Sequence, residues 1–188
     1  MGQICLSAKR FFVHYSIVDQ FVELLLIGLK NHSTAPLYAP EAYKKLREQL
    51  IEGINSGAQL IKGDINKLKK EESDIFVLRV EDKYSPLLTE EVFGPVFVIK
   101  SYRSDSEVLD LINSSKYGLG CSIYNLELET AEYMANNAET GMVFVNSYTT
   151  SKSELPWGGV KASGYGRDSW KCGIEAFSNI KTVKYSLK

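Results

Sequence analysis

The chemistry that this sequence offers most directly is that of a cysteine thiol. Its three cysteines, Cys5, Cys121 and Cys172, are odd in number and widely spaced, which argues against a disulfide framework and for a reducing compartment. A thiolate is the reactive form of cysteine, and a site near a helix N-terminus would favour that form at Cys5. The alternative is a buried structural thiol, the common fate of a free cysteine.

Other common catalytic arrangements have little support in the sequence. His14 and His32 lie far from any cysteine or carboxylate cluster, and the sequence contains neither CxxC nor HExxH, so we predict no metal site. The glycine pair at 164 and 166 resembles a dinucleotide-binding loop only superficially. Its sixth position is Ser169, and the segment follows a loop instead of a strand.

Short motifs follow one another in a definite order along the chain. They are G-Q-I-C at 2–5, A-K-R at 8–10, E-E-V-F-G-P at 90–95, Y-G-L at 117–119, G-M-V-F-V-N at 141–146, P-W-G-G-V-K at 156–161 and S-G-Y-G-R-D at 163–168. Each motif is weak alone. Together and in this order they resemble the catalytic half of the aldehyde dehydrogenase superfamily, essentially from end to end.

The resemblance implies a mechanism and a role for three residues. Cys5 would attack an aldehyde carbonyl to give a thiohemiacetal, hydride would pass to NAD or NADP, and water would cleave the resulting thioester. Glu91 would accept hydrogen bonds from the nicotinamide ribose hydroxyls, since a carboxylate offers two acceptors and no donor. Phe93 would pack beside the nicotinamide ring. Glu91 in a solvated turn is the alternative, and Cys121 and Cys172 match no motif and are expected to be core thiols.

A complete aldehyde dehydrogenase is more than twice as long as this chain. The resemblance assigns most of the cofactor domain, the glutamate general base and the asparagine of the oxyanion hole to an N-terminal half that the sequence does not contain. Because such groups contribute orders of magnitude to rate, we expect the isolated chain to be inactive and its partner to be that missing half. The alternative is a non-catalytic remnant that acts as an oligomerising partner of an intact enzyme. A stand-alone thiol redox protein is less favoured, because Cys5 has no resolving cysteine nearby.

Several segments are similar to one branch of the family, the succinate-semialdehyde dehydrogenases. They are residues 5–11, 153–156, 163–167 and 177–183. This similarity implies a small aldehyde substrate with a carboxylate, whose far end would need a cation or a hydroxyl. Ser151 and Ser153 are candidates for that hydroxyl contact, and an exposed polar loop is the alternative. Trp157 stands where the family usually has phenylalanine.

The elements that must position these residues follow from hydrophobic periodicity and cap signals. Strands are predicted over 9–14, 59–62, 76–80, 96–102, 121–124, 142–145 and 180–187, and helices over 17–30, 43–54 with Gly57 at the end, 104–112 behind a capping box, and 128–138. Strands separated by helices predict an α/β fold with a largely parallel sheet. The resemblance refines this to a three-layer αβα catalytic domain over 1–179, followed by an oligomerisation strand over 180–188. The unpaired backbone groups of an exposed strand can pair with a strand of a second chain, so a homo-oligomer is expected.

Composition and charge narrow the class of partners. The 188 residues are 44% hydrophobic and 24% charged, and 22 basic and 23 acidic residues are interleaved to a net charge of −1. Such a chain lacks the basic stripe of a nucleic-acid surface. The most apolar window, 21–29, is too short to span a membrane, and no signal-peptide pattern is present, so we expect a cytoplasmic protein without membrane contact.

Overall fold

The computed structural model describes residues 2–186 and contains eight strands and seven helices over that range. The strands are β1 (Arg10–His14), β2 (Gln59–Lys62), β3 (Phe76–Arg79), β4 (Val96–Tyr102), β5 (Tyr117–Gly118), β6 (Gly120–Ile123), β7 (Met142–Val145) and β8 (Val160–Lys161). The helices are α1 (Val18–Leu29), α2 (Pro40–Asn55), α3 (Ile65–Leu68), α4 (Pro86–Thr89), α5 (Asp105–Asn113), α6 (Leu128–Asn137) and α7 (Trp170–Glu175).

The larger sheet has the strand order β1-β4-β3-β2. β4 pairs in parallel with both β1 and β3, while β2 is antiparallel to β3. β6 pairs in parallel with β7 in a second, two-stranded sheet, and β5 pairs antiparallel with β8. The prediction of a largely parallel sheet is therefore confirmed.

Both faces of the four-stranded sheet are buried under helices. Along β3, Phe76 and Leu78 point to one face and Val77 points to the other, as the period of two requires. Leu50 of α2 packs in the first cluster, and Val18 of α1 packs in the second. Because the strands are covered on both sides, their sequences are apolar runs without alternation. The predicted three-layer αβα arrangement is confirmed.

Helix α2 carries clear start and stop signals. Pro40 occupies its first turn, where the missing N–H has no intrahelical partner in any case. At the other end the Gly57 N–H donates to the Ile54 carbonyl (3.0 Å) and the Ala58 N–H donates to the Gly53 carbonyl (2.9 Å). This pair of bonds is a Schellman motif, and the φ of +95° at Gly57 explains why glycine stands there.

The helix predicted behind a capping box is also present. Ser104 Oγ accepts a hydrogen bond from the Glu107 N–H (3.2 Å), and Glu107 Oε2 accepts one from the Arg103 N–H (2.8 Å), one residue before the N-cap. α5 and α6 then pack on the β6–β7 pair through Val108, Ala131 and other buried side chains.

The C-terminal tail differs from its prediction. Residues 179–186 have no regular secondary structure, so the strand predicted over 180–187 is not formed at 180–186, and residues 187 and 188 lie outside the described residues. Ile180 and Tyr185 are 93% and 83% exposed. A strand needs a neighbouring edge to satisfy its backbone, so pairing with a second chain and the domain boundary at 179 stay predictions. Within residues 2–186, no helix has the length and apolar character needed to cross a membrane.

Candidate functional site

Cys5 lies in a tight turn that leads into the central sheet. The turn is closed by a hydrogen bond from the Ser7 N–H to the Ile4 carbonyl (3.1 Å), and the Cys5 side chain is exposed. The chain then continues as β1, and the first helix begins only at Val18. The helix N-terminus expected near Cys5 is therefore not found in the sequence that follows it. The reason is that the β-branched and aromatic run after Arg10 forms a strand.

A lysine supplies the positive charge beside this turn. Lys9 Nζ donates hydrogen bonds to the carbonyls of Ile4 (2.9 Å) and Ser7 (3.4 Å). The same ammonium forms an ion pair with Glu91 Oε1 at 3.5 Å and lies 4.8 Å from the centroid of the Phe93 ring. Burial lowers the pKa of Lys9, while the Glu91 carboxylate and the charge of Cys5 act in the opposite direction. Lys9 thus connects the Cys5 turn with both predicted cofactor contacts.

Glu91 and Phe93 line a polar cavity of about 340 Å³. Lys45 and Gln49, one turn apart on α2, line the same cavity, and Gln49 Nε2 donates a hydrogen bond to the backbone carbonyl of Glu91 (3.1 Å). Lys116 donates to both carboxylate oxygens of neighbouring Glu90 at 2.8 Å. Of the two adjacent glutamates, Glu90 therefore pairs with Lys116, and Glu91 pairs with Lys9.

The two motifs that carry these residues meet at a pair of glycines. Gly2 has a φ of +70°, and a Cβ at that position would overlap the carbonyl of Gly94, so only glycine allows this approach. Gln3 Oε1 accepts a hydrogen bond from the Tyr38 N–H (2.9 Å), and the Tyr38 ring stands edge-on to Phe93 at 6.4 Å. The first two residues of the G-Q-I-C motif therefore position the wall of the cavity.

The loop that carries Ser151 and Ser153 is attached to the Cys5 turn. Thr149 Oγ1 donates a hydrogen bond of 2.9 Å to the carbonyl of Leu6. Ser151 is exposed on this loop, whereas Ser153 Oγ donates to the carboxylate of Glu154 (3.1 Å). Because that bond engages the hydroxyl of Ser153, Ser151 is the better placed of the two predicted substrate contacts.

The other two cysteines occupy different surroundings. Cys121 on β6 packs beside a buried cluster, and burial raises its pKa to about 11, against an opposing effect of Arg10. Cys172 is only half-buried and lines a cavity of about 480 Å³ together with Trp157 and Arg167. The expectation of a core thiol therefore fits Cys121 and is wrong for Cys172, because α7 has no buried residue.

Known proteins of one family resemble this chain over almost its whole length. The aldehyde dehydrogenase family matches residues 1–183. The chain belongs to the aldehyde dehydrogenase family.

Individual relatives within the family are named for different aldehyde substrates. The NADP(+) succinate-semialdehyde dehydrogenase of Deinococcus radiodurans is 34% identical over 97% of this chain and 41% of its own length. The chloroplastic betaine aldehyde dehydrogenase of Beta vulgaris is 31% identical over 97% of this chain and 39% of its own length. The succinic semialdehyde dehydrogenase of Streptococcus pyogenes, solved with NADP+ as the cofactor, superposes with a TM-score of 0.87 at 34% identity, over 95% of this chain and 42% of that one. The chain spans about two fifths of the length of these relatives.

Several residues around this candidate site have no role predicted from the sequence. Lys9 and Gln3 belong to quoted motifs, but only the structure shows what they contact. Lys45 and Gln49 lie four residues apart on α2 and line the cavity beside Glu91, but their spacing alone does not assign them a role.

Proposed function

We propose that this chain supplies the nucleophile and part of the cofactor site of an NAD(P)-dependent aldehyde dehydrogenase. The observation that carries the proposal is the contact of Lys9 with the Cys5 turn, Glu91 and Phe93. Three residues predicted to serve one reaction lie around one ammonium group, although they come from distant parts of the sequence.

The proposed chemistry begins at Cys5. Its sulfur, exposed in the turn, adds to the aldehyde carbonyl, and the new C–S bond gives a thiohemiacetal. Lys9 places its ammonium group beside this turn through its hydrogen bond to the Ile4 carbonyl. Loss of a hydride from the former aldehyde carbon then converts the thiohemiacetal into a thioester, and water cleaves the thioester to release the carboxylate product. Among the three cysteines, Cys121 is unsuited to this role, because its raised pKa of about 11 keeps it protonated at neutral pH.

The residues present fit a nicotinamide nucleotide. When bound, NAD(P)+ accepts the hydride that leaves the former aldehyde carbon. Glu91 would hold the ribose diol, since its carboxylate is 41% exposed and carries only acceptors. Phe93 would flank the nicotinamide, and Lys45 offers a cation in the lining of the same cavity. The similarity to a dehydrogenase solved with NADP+ supports this assignment.

Succinate semialdehyde is the proposed substrate. Support comes from two succinate-semialdehyde dehydrogenases at 34% identity. Ser151 and Lys152 are exposed on the loop that Thr149 attaches to the Cys5 turn, and a hydroxyl beside a cation suits a carboxylate. Another relative is named a betaine aldehyde dehydrogenase. Betaine aldehyde is a cation, so Lys152 would repel it.

The test is NAD(P)H formation from succinic semialdehyde, first by this chain alone and then with a separately produced N-terminal half of a family member. We expect activity only in the mixture. Cys5→Ser should abolish it, whereas Cys172→Ser serves as the matched control and should keep it. A second assay compares kcat/KM for succinic semialdehyde and betaine aldehyde, and a preference for betaine aldehyde would refute the proposed substrate.

Two outcomes would contradict the proposal. Turnover by the isolated chain that survives Cys5→Ser would remove Cys5 as the nucleophile. No turnover in a mixture whose halves are shown to associate would instead favour a non-catalytic oligomerising partner, an alternative that the comparisons do not support.

A further inference from the structure

We propose that Lys9 is a positioning residue that holds the Cys5 turn and the Glu91 carboxylate in one fixed arrangement. This inference rests on the proposed function, because it concerns how the nucleophile and a cofactor contact are placed relative to each other.

The geometry gives each donor of the ammonium a partner. A lysine ammonium has three N–H donors and no acceptor. Its three closest acceptors here are the Ile4 carbonyl at 2.9 Å, the Ser7 carbonyl at 3.4 Å and Glu91 Oε1 at 3.5 Å. Two partners lie on the turn that contains Cys5, and the third lies on the motif that ends at β4. One group therefore bridges two segments that are far apart in sequence.

Burial separates this contact from an ordinary surface ion pair. The Lys9 side chain is only 13% exposed, and Phe93 lies against its ammonium group. A flexible, hydrated lysine at a surface contributes little, but one that is largely desolvated must keep its partners. Lys9 is therefore held in one conformation, and it transfers that order to the turn and to the carboxylate.

The carboxylate remains able to bind a ligand. Glu91 is 41% exposed and lines the polar cavity, while its backbone carbonyl is held by Gln49. A carboxylate has about four lone-pair sites, so the contact with Lys9 leaves acceptors for a diol. Lys9 and Gln49 together fix the position and the orientation of the group without occupying it fully.

The first test measures the charge that Lys9 places at Cys5 in the complete chain. Peptide-resolved mass spectrometry gives the alkylation rates of Cys5 with anionic iodoacetate and with neutral iodoacetamide. The ratio of the iodoacetate rate to the iodoacetamide rate should fall by about twofold or more in Lys9→Gln, which removes the positive charge. The ratio should persist in Lys9→Arg, which keeps that charge. Glu91→Gln should shift the ratio in the opposite direction, since it removes the neighbouring negative charge.

Lys83→Gln is the matched control. Lys83 is exposed and follows the C-terminal end of β3, whereas Cys5 precedes the N-terminal end of β1. The two residues therefore lie at opposite ends of the parallel strands. Its loss changes the net charge equally and should leave the ratio unchanged. An unchanged ratio in folded Lys9→Gln, or in Glu91→Gln, would overturn the proposal. If Lys9→Gln does not fold, the results for Lys9→Arg and Glu91→Gln still decide it.

The second test separates positioning from general structural support. In the active mixture of halves, Lys9→Gln should raise KM for NAD(P)+ by about tenfold and also lower kcat, because it releases both Glu91 and the Cys5 turn, and Lys9→Arg should restore most of both losses. Equal losses in Lys9→Gln and Lys9→Arg, or a loss in kcat alone, would refute the role. If the mixture shows no turnover but the alkylation ratios shift as expected, the proposed function fails and the placement by Lys9 stands.

Discussion

Cys121 provides a quantitative check on which thiol can act as a nucleophile. Its position on β6, beside a buried cluster, raises its pKa from an ordinary 9.0 to about 11. At pH 8 a thiol with a pKa of about 11 is roughly 0.1% thiolate, whereas an ordinary thiol of pKa 9.0 is roughly 10% thiolate. We therefore expect Cys121 in the folded chain to react with iodoacetamide about 100-fold more slowly than in the unfolded chain.

The assay is alkylation at pH 8 followed by peptide mass spectrometry, with and without urea. Exposed Cys5 should react fast in both conditions, and Cys121 should react fast only in urea. Between pH 8 and pH 10, the rate at Cys121 in the folded chain should rise about tenfold per pH unit, because its thiolate fraction does. A Cys121 that reacts at the same rate with and without urea at pH 8 would refute the argument from burial.

The same shift has a consequence for stability. At pH values well below 9, Cys121 is protonated in the folded and the unfolded chain, and the contribution of its protonated thiol to the free energy of unfolding is fully present. Between about pH 9 and pH 11 the unfolded chain loses the proton while the folded chain keeps it, so stability falls as pH rises. A shift of this size corresponds to a loss of about 3 kcal/mol in the free energy of unfolding. Cys121→Ala should lack this slope in urea titrations at pH 8 and pH 10.5.

Three further predictions concern the core, the site and the tail. Leu50→Ala, at a fully buried position under the sheet, should lower the free energy of unfolding by about 2–5 kcal/mol in urea titrations, whereas Leu24→Ala at a 60% exposed position should change it far less. Gly2→Ala places a Cβ against the Gly94 carbonyl at a φ of +70°, so it should lower the activity of the mixed halves much more than Gly28→Ala, whose Cβ meets open space. Removal of residues 180–188 should convert an oligomer to a monomer in light scattering, and a monomeric mass for the complete chain would contradict a pairing role for the tail.

The regular core of the fold could be predicted from the sequence because its signals are local. The strands at 59–62, 96–102 and 142–145 agree with the structure to the residue, and the helix predicted at 17–30 is α1, Val18–Leu29. Their hydrophobic runs are long enough to show the helical period of 3.6 residues or to show that this period is absent. The helices α3 and α4, of four residues each, have too few positions to show a helical period, and they were not predicted.

The tail strand could not be settled from the sequence for a different reason. Its alternation at 180–187 is a valid strand signal, yet the isolated chain leaves residues 180–186 irregular. Ile180, Val183 and Tyr185 have no core to pack against within the described residues and are exposed. Strand formation there depends on a neighbouring edge, which is a property of an assembly and not of the local sequence.

The site shows the same division between local motif and tertiary contact. The motif resemblance was sufficient to name Cys5, Glu91 and Phe93, but not to find what joins them. A helix N-terminus beside Cys5 would have supplied about half a unit charge to one segment alone. Lys9 carries a full charge on a long side chain, so it reaches two carbonyls of the turn and a carboxylate on another element. Its contacts therefore join the Cys5 turn to Glu91 on another element, which a helix terminus acting on one segment would not do.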